Sequence, residues 1–301
     1  MPSSVSPIRT KRRWKKQKKT ASRYNFRYSP NVEPRRARSF EIAKAALAAG
    51  DKVVATVRKN AKELTARLNN EDNAMVVTLD VTNEEEVKAG VNAAISRFDR
   101  IDVLVNNAGY GLLAATEEAS AGEVRKQYDT NVFGLLNVTR AVLPHLRNQG
   151  SGHIINISSL FGYQNSVPGF GLYGSTKYAV EGITEGLAVE LKPLGIHVTA
   201  AAPGFFRTEF ASTDSYQRSQ LTLDAYKGTV GGVRANMEHF DGNQPGDPAK
   251  LAQVIIKIAN SSNPPLHLPI GKDSVQNFRN KTAQMTKEVE EWESVSVSTD
   301  H

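Results

Sequence analysis

The chain has 301 residues, 40% of them apolar, enough for one large α/β core or two small ones. It has no cysteine, which excludes a disulfide framework, thiolate metal ligands and a cysteine nucleophile, and suits a reducing compartment. The formal charge of +7 is unevenly placed: residues 1–38 hold 13 of the 38 Lys and Arg and one acid, Glu33, a local +12 that leaves the remainder at −5.

Residues 1–38 read as a disordered basic tail ahead of a single domain over 39–293, with a second disordered tail over 294–301. Lys11-Arg-Arg-Trp-Lys-Lys-Gln-Lys-Lys19 is dense enough to bind nucleic acid or an anionic surface, or to act as a nuclear address, and its surroundings have the composition of a mitochondrial presequence. Neither role has further support in the sequence. With no apolar run near the roughly 20 residues that span a bilayer and no secretory signal, the expected location is cytoplasmic, without a membrane span.

From residue 40 onward, helical and strand patterns alternate. Helices are predicted over 40–49, 61–69 and 84–98, the last capped by Thr82 or Asn83; strands over 52–58, 75–80 and 102–106. A long helical region over 122–148 leads to a strand over 153–158, and a helix carrying Tyr173 runs to about 192 before a strand over 196–202. Residues 205–246 lack apolar periodicity and read as a substrate-covering segment with short helices. A helix opened by Asp247 and Pro248 covers 248–260, a short strand 266–270, and a C-terminal helix 273–292.

Tyr173 and Lys177 lie one helical turn apart, and fourteen positions before Tyr173 the run His153-Ile-Ile-Asn-Ile157 ends in Ser158-Ser159. A phenol with an ordinary pKa of about 10 is a poor acid near neutrality, but a neighbouring ammonium stabilises the phenolate. A serine hydroxyl at the end of an adjacent strand can donate to the same substrate oxygen, so the three suit acid, modulator and orienting group, with a cofactor carrying hydride.

The surrounding motifs are Asn106-Asn-Ala-Gly109 after Val103-Leu-Val105, Asn131 in a helical pattern, and Pro203-Gly204 after a strand-like run. Together with the Tyr-Lys pair they resemble the short-chain dehydrogenases/reductases, from about Phe40 to the C-terminus. The resemblance implies a Rossmann-like, doubly wound parallel α/β sheet in one domain. It implies catalytic Asn131, Ser159, Tyr173 and Lys177, with Ser158 as a structural alternative and Asn131 either holding a relay water or bending its helix. Cofactor contacts would come from Arg58, Asp80, Val81, Asn107, Ala108, Gly109, Tyr173, Lys177, Pro203, Gly204, Phe205 and Thr208. Arg58 suits a 2′-phosphate where an acid would accept from a ribose hydroxyl, so NADP(H) is favoured over NAD(H).

The first strand and the glycine-rich turn of that family are missing or replaced. The three glycine positions fall on Glu33, Ala37 and Ser39, and Pro34 lacks an N–H. Tyr24-Asn-Phe-Arg-Tyr28 alternates and is a candidate for the vacant strand, though Asn25 and Arg27 would sit in a layer meant to be dry; the leading expectation is an empty slot. The abrupt change at Ser39-Phe40 reads as an altered start, exon boundary or frame that replaced the N-terminus.

The expected activity is interconversion of an alcohol and a carbonyl on a small substrate, for which Phe161, Tyr163, Phe170, Phe205, Phe206 and Tyr226 are candidate apolar walls if they are not ordinary core. One alternative is a relative that cannot bind dinucleotide and is catalytically impaired or a binding module. Another is a nucleic-acid or anionic-surface binder acting through the basic arm. The expected partner is a small molecule, with a homo-oligomer possible.

Overall fold

The computed structural model describes residues 25–28, 37–69, 72–207, 216–240 and 243–300. Seven parallel strands form one sheet: β1 (Asn25–Tyr28), β2 (Lys52–Val57), β3 (Ala74–Thr78), β4 (Val103–Asn106), β6 (Gly152–Ile157), β7 (Ile196–Pro203) and β9 (His267–Ile270). Their order is β3-β2-β1-β4-β6-β7-β9. The order reverses between β1 and β4, and the crevice at such a switch point, beyond the carboxyl ends of the strands, is where open α/β sheets take ligands.

Parallel strands need crossovers, and here the crossovers are helices that cover both faces. On one face α1 (Ala37–Ala48) and α8 (Pro248–Ala259) bury Ile42, Ala46, Leu251 and Ile255 against Val53, Val103, Val105 and Ile155. On the other, α3 (Glu84–Phe98) and α5 (Gly134–Gln149) pack Val87, Val91, Val138 and Val142 on Leu104, Ile154 and Val198. α6 (Gly171–Leu191) completes this layer through Leu191. The chain therefore has the single-domain Rossmann-like architecture expected.

Local chemistry sets the helix ends. Asn83 caps α3 by accepting from Glu85 N and Glu86 N, with three glutamates in the first turn. Asp80, by contrast, accepts from the Thr82 N–H and hydroxyl at 2.9 and 2.8 Å. Ser120 and Glu123 form a capping box on α4 (Ala121–Tyr128), and Asp247 accepts from Ala249 N at the start of α8, with Pro248 in the first turn.

Four expectations change. The slot for the first strand is filled: Asn25–Tyr28 pairs in parallel with β2 (Arg27 opposite Val54) and with β4 (Arg27 opposite Leu104). A central position with ladders on both sides outweighs the polar composition of those four residues. The rest of the basic arm, residues 1–24 and 29–36, lies outside the described residues. The long helix over 122–148 is not uniform: α4 and α5 are joined by a π-helical turn, Asp129–Phe133.

The third change is a second, two-stranded parallel sheet, in which β5 (Gly111–Leu113), after β4, pairs with β8 (Tyr216–Arg218) of the segment 205–246. That segment also holds α7 (Gly232–Phe240). The fourth is at the C-terminus, where α9 runs over Lys272–Ser296 and a 3-10 turn over Val297–Thr299, so the expected tail from residue 294 is helical through 299. The remaining helix, α2 (Ala61–Leu68), is as expected.

Candidate active site

β4 and β6 end side by side beyond the switch point, and α6 returns over their carboxyl ends. Past His153 at its start, β6 is apolar except for Asn156, whose amide is fully buried and donates to Thr184 Oγ1 on α6 at 2.9 Å. Asn106 at the end of β4 donates to Asn156 Oδ1 at 2.9 Å and to Thr139 Oγ1 on α5 at 3.0 Å. This buried polar chain fixes the strand ends relative to both helices, since an unpaired amide here would cost its desolvation. A polar residue inside Ile154-Ile-Asn-Ile157 was its one sequence signal.

Tyr173 and Lys177 lie on α6, each only 5% exposed. Lys177 Nζ donates to Ile157 O at 2.8 Å, the last residue of β6, and lies 5.8 Å from the centre of the Tyr173 ring. Ser159, two residues beyond Ile157, caps a short 3-10 turn by accepting from Phe161 N at 3.3 Å. Acceptance by Oγ leaves the Ser159 hydroxyl hydrogen available to donate. Ser158 Oγ is buried without a hydrogen-bond partner, facing Gly162, where an added Cβ would come within 2.6 Å of it.

Asn131 sits in the π-helical turn, 1% exposed. Its Oδ1 accepts from Tyr110 N at 3.0 Å, while Nδ2 donates to Tyr110 O at 2.9 Å and Thr176 Oγ1 at 3.0 Å. Both amide hydrogens are thereby used, so a water held by this side chain has only the remaining Oδ1 lone pair to donate to. Gly109 packs closely at this spot: an added Cβ would lie 3.0 Å from Asn131 Oδ1, which would have to give by a few tenths of an ångström.

The proposed cofactor residues line the same edge. Arg58 is exposed just past β2, Asp80-Val81 follow β3, Asn107-Ala108-Gly109 follow β4, and Pro203-Gly204-Phe205 follow β7. Burial pushes the Tyr110 phenol up to about 12, and the charge of the Arg58 guanidinium pulls it the other way. Gly204 packs so tightly on the Asp273 carboxylate at the start of α9 that a Cβ would overlap it, and Phe205 N donates to Asp273 Oδ2 at 2.6 Å. Thr208 lies outside the described residues.

Of the six aromatic candidates for an apolar wall, Phe161, Phe170, Phe205 and Tyr226 cluster with Tyr173, together with Leu113, Tyr216 and Val230. Phe161 stacks on Phe170 at 5.1 Å and meets the Tyr173 ring edge-on at 6.0 Å. The other two are elsewhere: Phe206 belongs to the core under α8, and Tyr163 packs on Phe278 and His267.

Sequence reasoning missed what holds the covering segment down. Glu118, fully buried at its side chain, accepts from Ala115 N at 2.9 Å and Leu223 N at 3.0 Å and pairs through both oxygens with Arg234 on α7. The Arg234 guanidinium beside it holds the Glu118 carboxyl down at about 2. Tyr226 Oη donates to Glu117 Oε2 at 2.7 Å, and Gln220 N to Glu123 Oε1 at 3.3 Å. No local pattern announces partners separated by about a hundred residues.

Comparison with known proteins gives the family. The short chain dehydrogenase family profile matches residues 39–219, more than half of the chain. Oxidoreductase BOA17 of Botryotinia fuckeliana is 36% identical over 259 residues, covering 85% of this chain and 93% of that one. The crystal structure of a short-chain dehydrogenase from Streptomyces avermitilis superposes with a TM-score of 0.84 at 37% identity, covering 93% of this chain and 100% of the other. ElxO with NADP bound superposes at 0.66 with 30% identity, covering 82% of this chain and 96% of that one; another solved neighbour is complexed with NADH. The chain belongs to the short-chain dehydrogenase/reductase family and is an oxidoreductase of that family. Among the described residues no helix is long and apolar enough to cross a membrane.

Proposed function

We propose that this chain interconverts an alcohol and a carbonyl on a small apolar substrate, with NADP(H) as cofactor. The observation that carries the reading is the seating of Lys177 on Ile157 O, between the Tyr173 ring and the strand end that bears Ser159. In reduction the substrate oxygen lies between Tyr173 Oη and Ser159 Oγ, Tyr173 donates its proton to that oxygen, and Ser159 donates a hydrogen bond that orients it. Lys177, fixed by β6, stabilises the phenolate left behind. Oxidation runs the same proton in reverse. The cofactor supplies or accepts the hydride. Phe161, Phe170, Phe205 and Tyr226 form the apolar wall for the substrate, and they exclude water from the reacting centre.

At the strand ends exposed Arg58 offers a charge-assisted donor for a 2′-phosphate, and Gly109 and Gly204 let Asn131 and Asp273 pack against the loops that would border the nicotinamide. Residues 29–36, where a pyrophosphate would meet the turn after β1, lie outside the described residues, and the first glycine of the chain is Gly50. Weak NADPH binding is therefore expected for the chain as it stands. Substituting Glu33→Gly, Ala37→Gly and Ser39→Gly together should raise affinity at least tenfold by calorimetric titration. In that background Tyr173→Phe should lower kcat by at least a hundredfold with NADPH affinity nearly unchanged. Turnover that survives the Phe substitution removes Tyr173 from the chemistry. If the three glycines leave NADPH unbound, the reading of a chain that cannot hold dinucleotide takes precedence.

A further inference from the structure

α9 is two helices in one. Its first three turns dock on the body: Ser274 is fully buried and donates to Ala202 O at 2.7 Å, Asn277 Nδ2 donates to Leu160 O at 2.8 Å, and Phe278 meets Tyr163 edge-on at 4.8 Å. From Thr282 to Asp300 every residue is exposed. The docking face does not stop where the body does. Continuing from Phe278 at helical spacing come Met285, Val289 and Trp292, which are 53%, 64% and 62% exposed. A tryptophan, a methionine and a valine in line on a helix projecting into water form an apolar stripe that single exposed residues do not make.

The charges beside the stripe indicate its occupant. Arg279 and Lys281 flank it in the proximal half, Glu288, Glu290 and Glu293 in the distal half. Lys287 lies on the far side, 3.5 Å from Glu291. The distal half is acidic, which disfavours an anionic lipid surface. A helix that is basic at one end of its apolar stripe and acidic at the other is complementary to itself when antiparallel.

We infer that the projecting half of α9 pairs with the same segment of a second copy of this chain, antiparallel about a two-fold axis. With the axis level with residue 287, Met285 lies beside Val289 of the second copy, and Arg279 approaches Glu293 of the second copy on the same flank of the seam. Two helices of this length cover less than the roughly 1,600 Å² of a standard stable interface, so association depends on concentration and, through the flanking charges, on salt. The inference is independent of the proposed reaction.

The chain has no cysteine, so a single introduced thiol reports its own neighbour without background. Met285→Cys and Val289→Cys proteins, mixed and mildly oxidised, should form a cross-linked pair. Lys281→Cys alone should not, because antiparallel pairing sets the two thiols roughly 18 Å apart along the helix. Sedimentation should show self-association that Trp292→Glu weakens at least tenfold while circular dichroism stays unchanged, and that raised salt weakens in the unsubstituted protein. Equal cross-linking of Lys281→Cys with itself means parallel or random contact and overturns the inference. So does failure of the mixed pair to cross-link at any concentration. A Trp292 fluorescence shift with phosphatidylcholine–phosphatidylserine vesicles, in a Trp14→Phe background and without concentration dependence in their absence, assigns the stripe to a lipid surface instead.

Discussion

Arg58 and Glu118 show how differently single residues reveal themselves. Arg58 follows an apolar run at the place where a ribose contact is expected, so the proposed role toward a 2′-phosphate rests on position alone. Arg58→Asp should weaken NADPH at least tenfold more than NADH in fluorescence titrations of the glycine-restored protein, since it sets a carboxylate beside the 2′-phosphate. Equal losses would place Arg58 away from that phosphate. Glu118 gives no such sign: it reads as one more acid in Thr116-Glu-Glu-Ala119, and only the fold shows its pairing with Arg234. Glu118→Ala should cost about 3 kcal/mol, because it leaves the guanidinium and two amides without their acceptor. The pairing holds the Glu118 carboxyl at about 2, below its ordinary 4.5. Its stabilisation is therefore complete above the ordinary value and is lost as pH falls toward the lowered one. The melting-temperature gap between the unsubstituted protein and Glu118→Gln should narrow between about pH 5 and pH 3; a constant gap would mean that the charge is not what stabilises the pair.

Elements were legible where one pattern dominated. Apolar runs located β2, β4, β6 and β7 to within a residue or two, and Asn83 and Asp247 marked helix starts because their side chains accept the first free N–H groups. Three features escaped. The π-helical turn at Asp129–Phe133 takes up one extra residue, and α4 before it is only eight residues long, too short an apolar pattern for the phase shift to be read from sequence. The β5–β8 pair depends on segments about a hundred residues apart, and α9 continues past the body without a core to define its end. The edge strand β9 offers a test at this scale. His267 Nδ1 lies 2.9 Å from Glu181 Oε2 on α6, and that hydrogen bond raises the imidazole above its ordinary value despite partial burial. A raised value means that the pair stabilises fully below about pH 6.5 and that its contribution fades as pH rises through the folded value. His267→Gln should flatten the pH dependence of stability across that range, most clearly in hydrogen exchange at β9. An unchanged profile would place the dependence on other groups.

Across the whole molecule, β1 is the joint between the two parts of the sheet, with β2 and β3 on one side and β4, β6, β7 and β9 on the other. The sequence offered Tyr24 to Tyr28 only as a substitute, because four residues with Asn25 and Arg27 among them do not look like a buried strand; position decided what composition did not. Arg27→Pro removes a ladder donor from the middle of that joint. It should lower the melting temperature by several degrees and speed amide exchange at Val53–Ala55 and Val103–Val105 together, whereas an effect on neither would place β1 outside the sheet. The proposed catalytic residues, in contrast, stood out in the sequence because they sit at strand ends and on one helix face. The wide turn between α4 and α5 also governs which length changes the gene can accept. Each residue of a helix advances the phase by about 100°, so losing one residue from 129–133 would rotate α5 by that angle relative to α4. Thr139 would swing away from Asn106, and Val138 and Val142 out of their layer. Insertions and deletions should thus be purged from this stretch even where substitutions are tolerated, making its length a more stringent signature of descent than its letters.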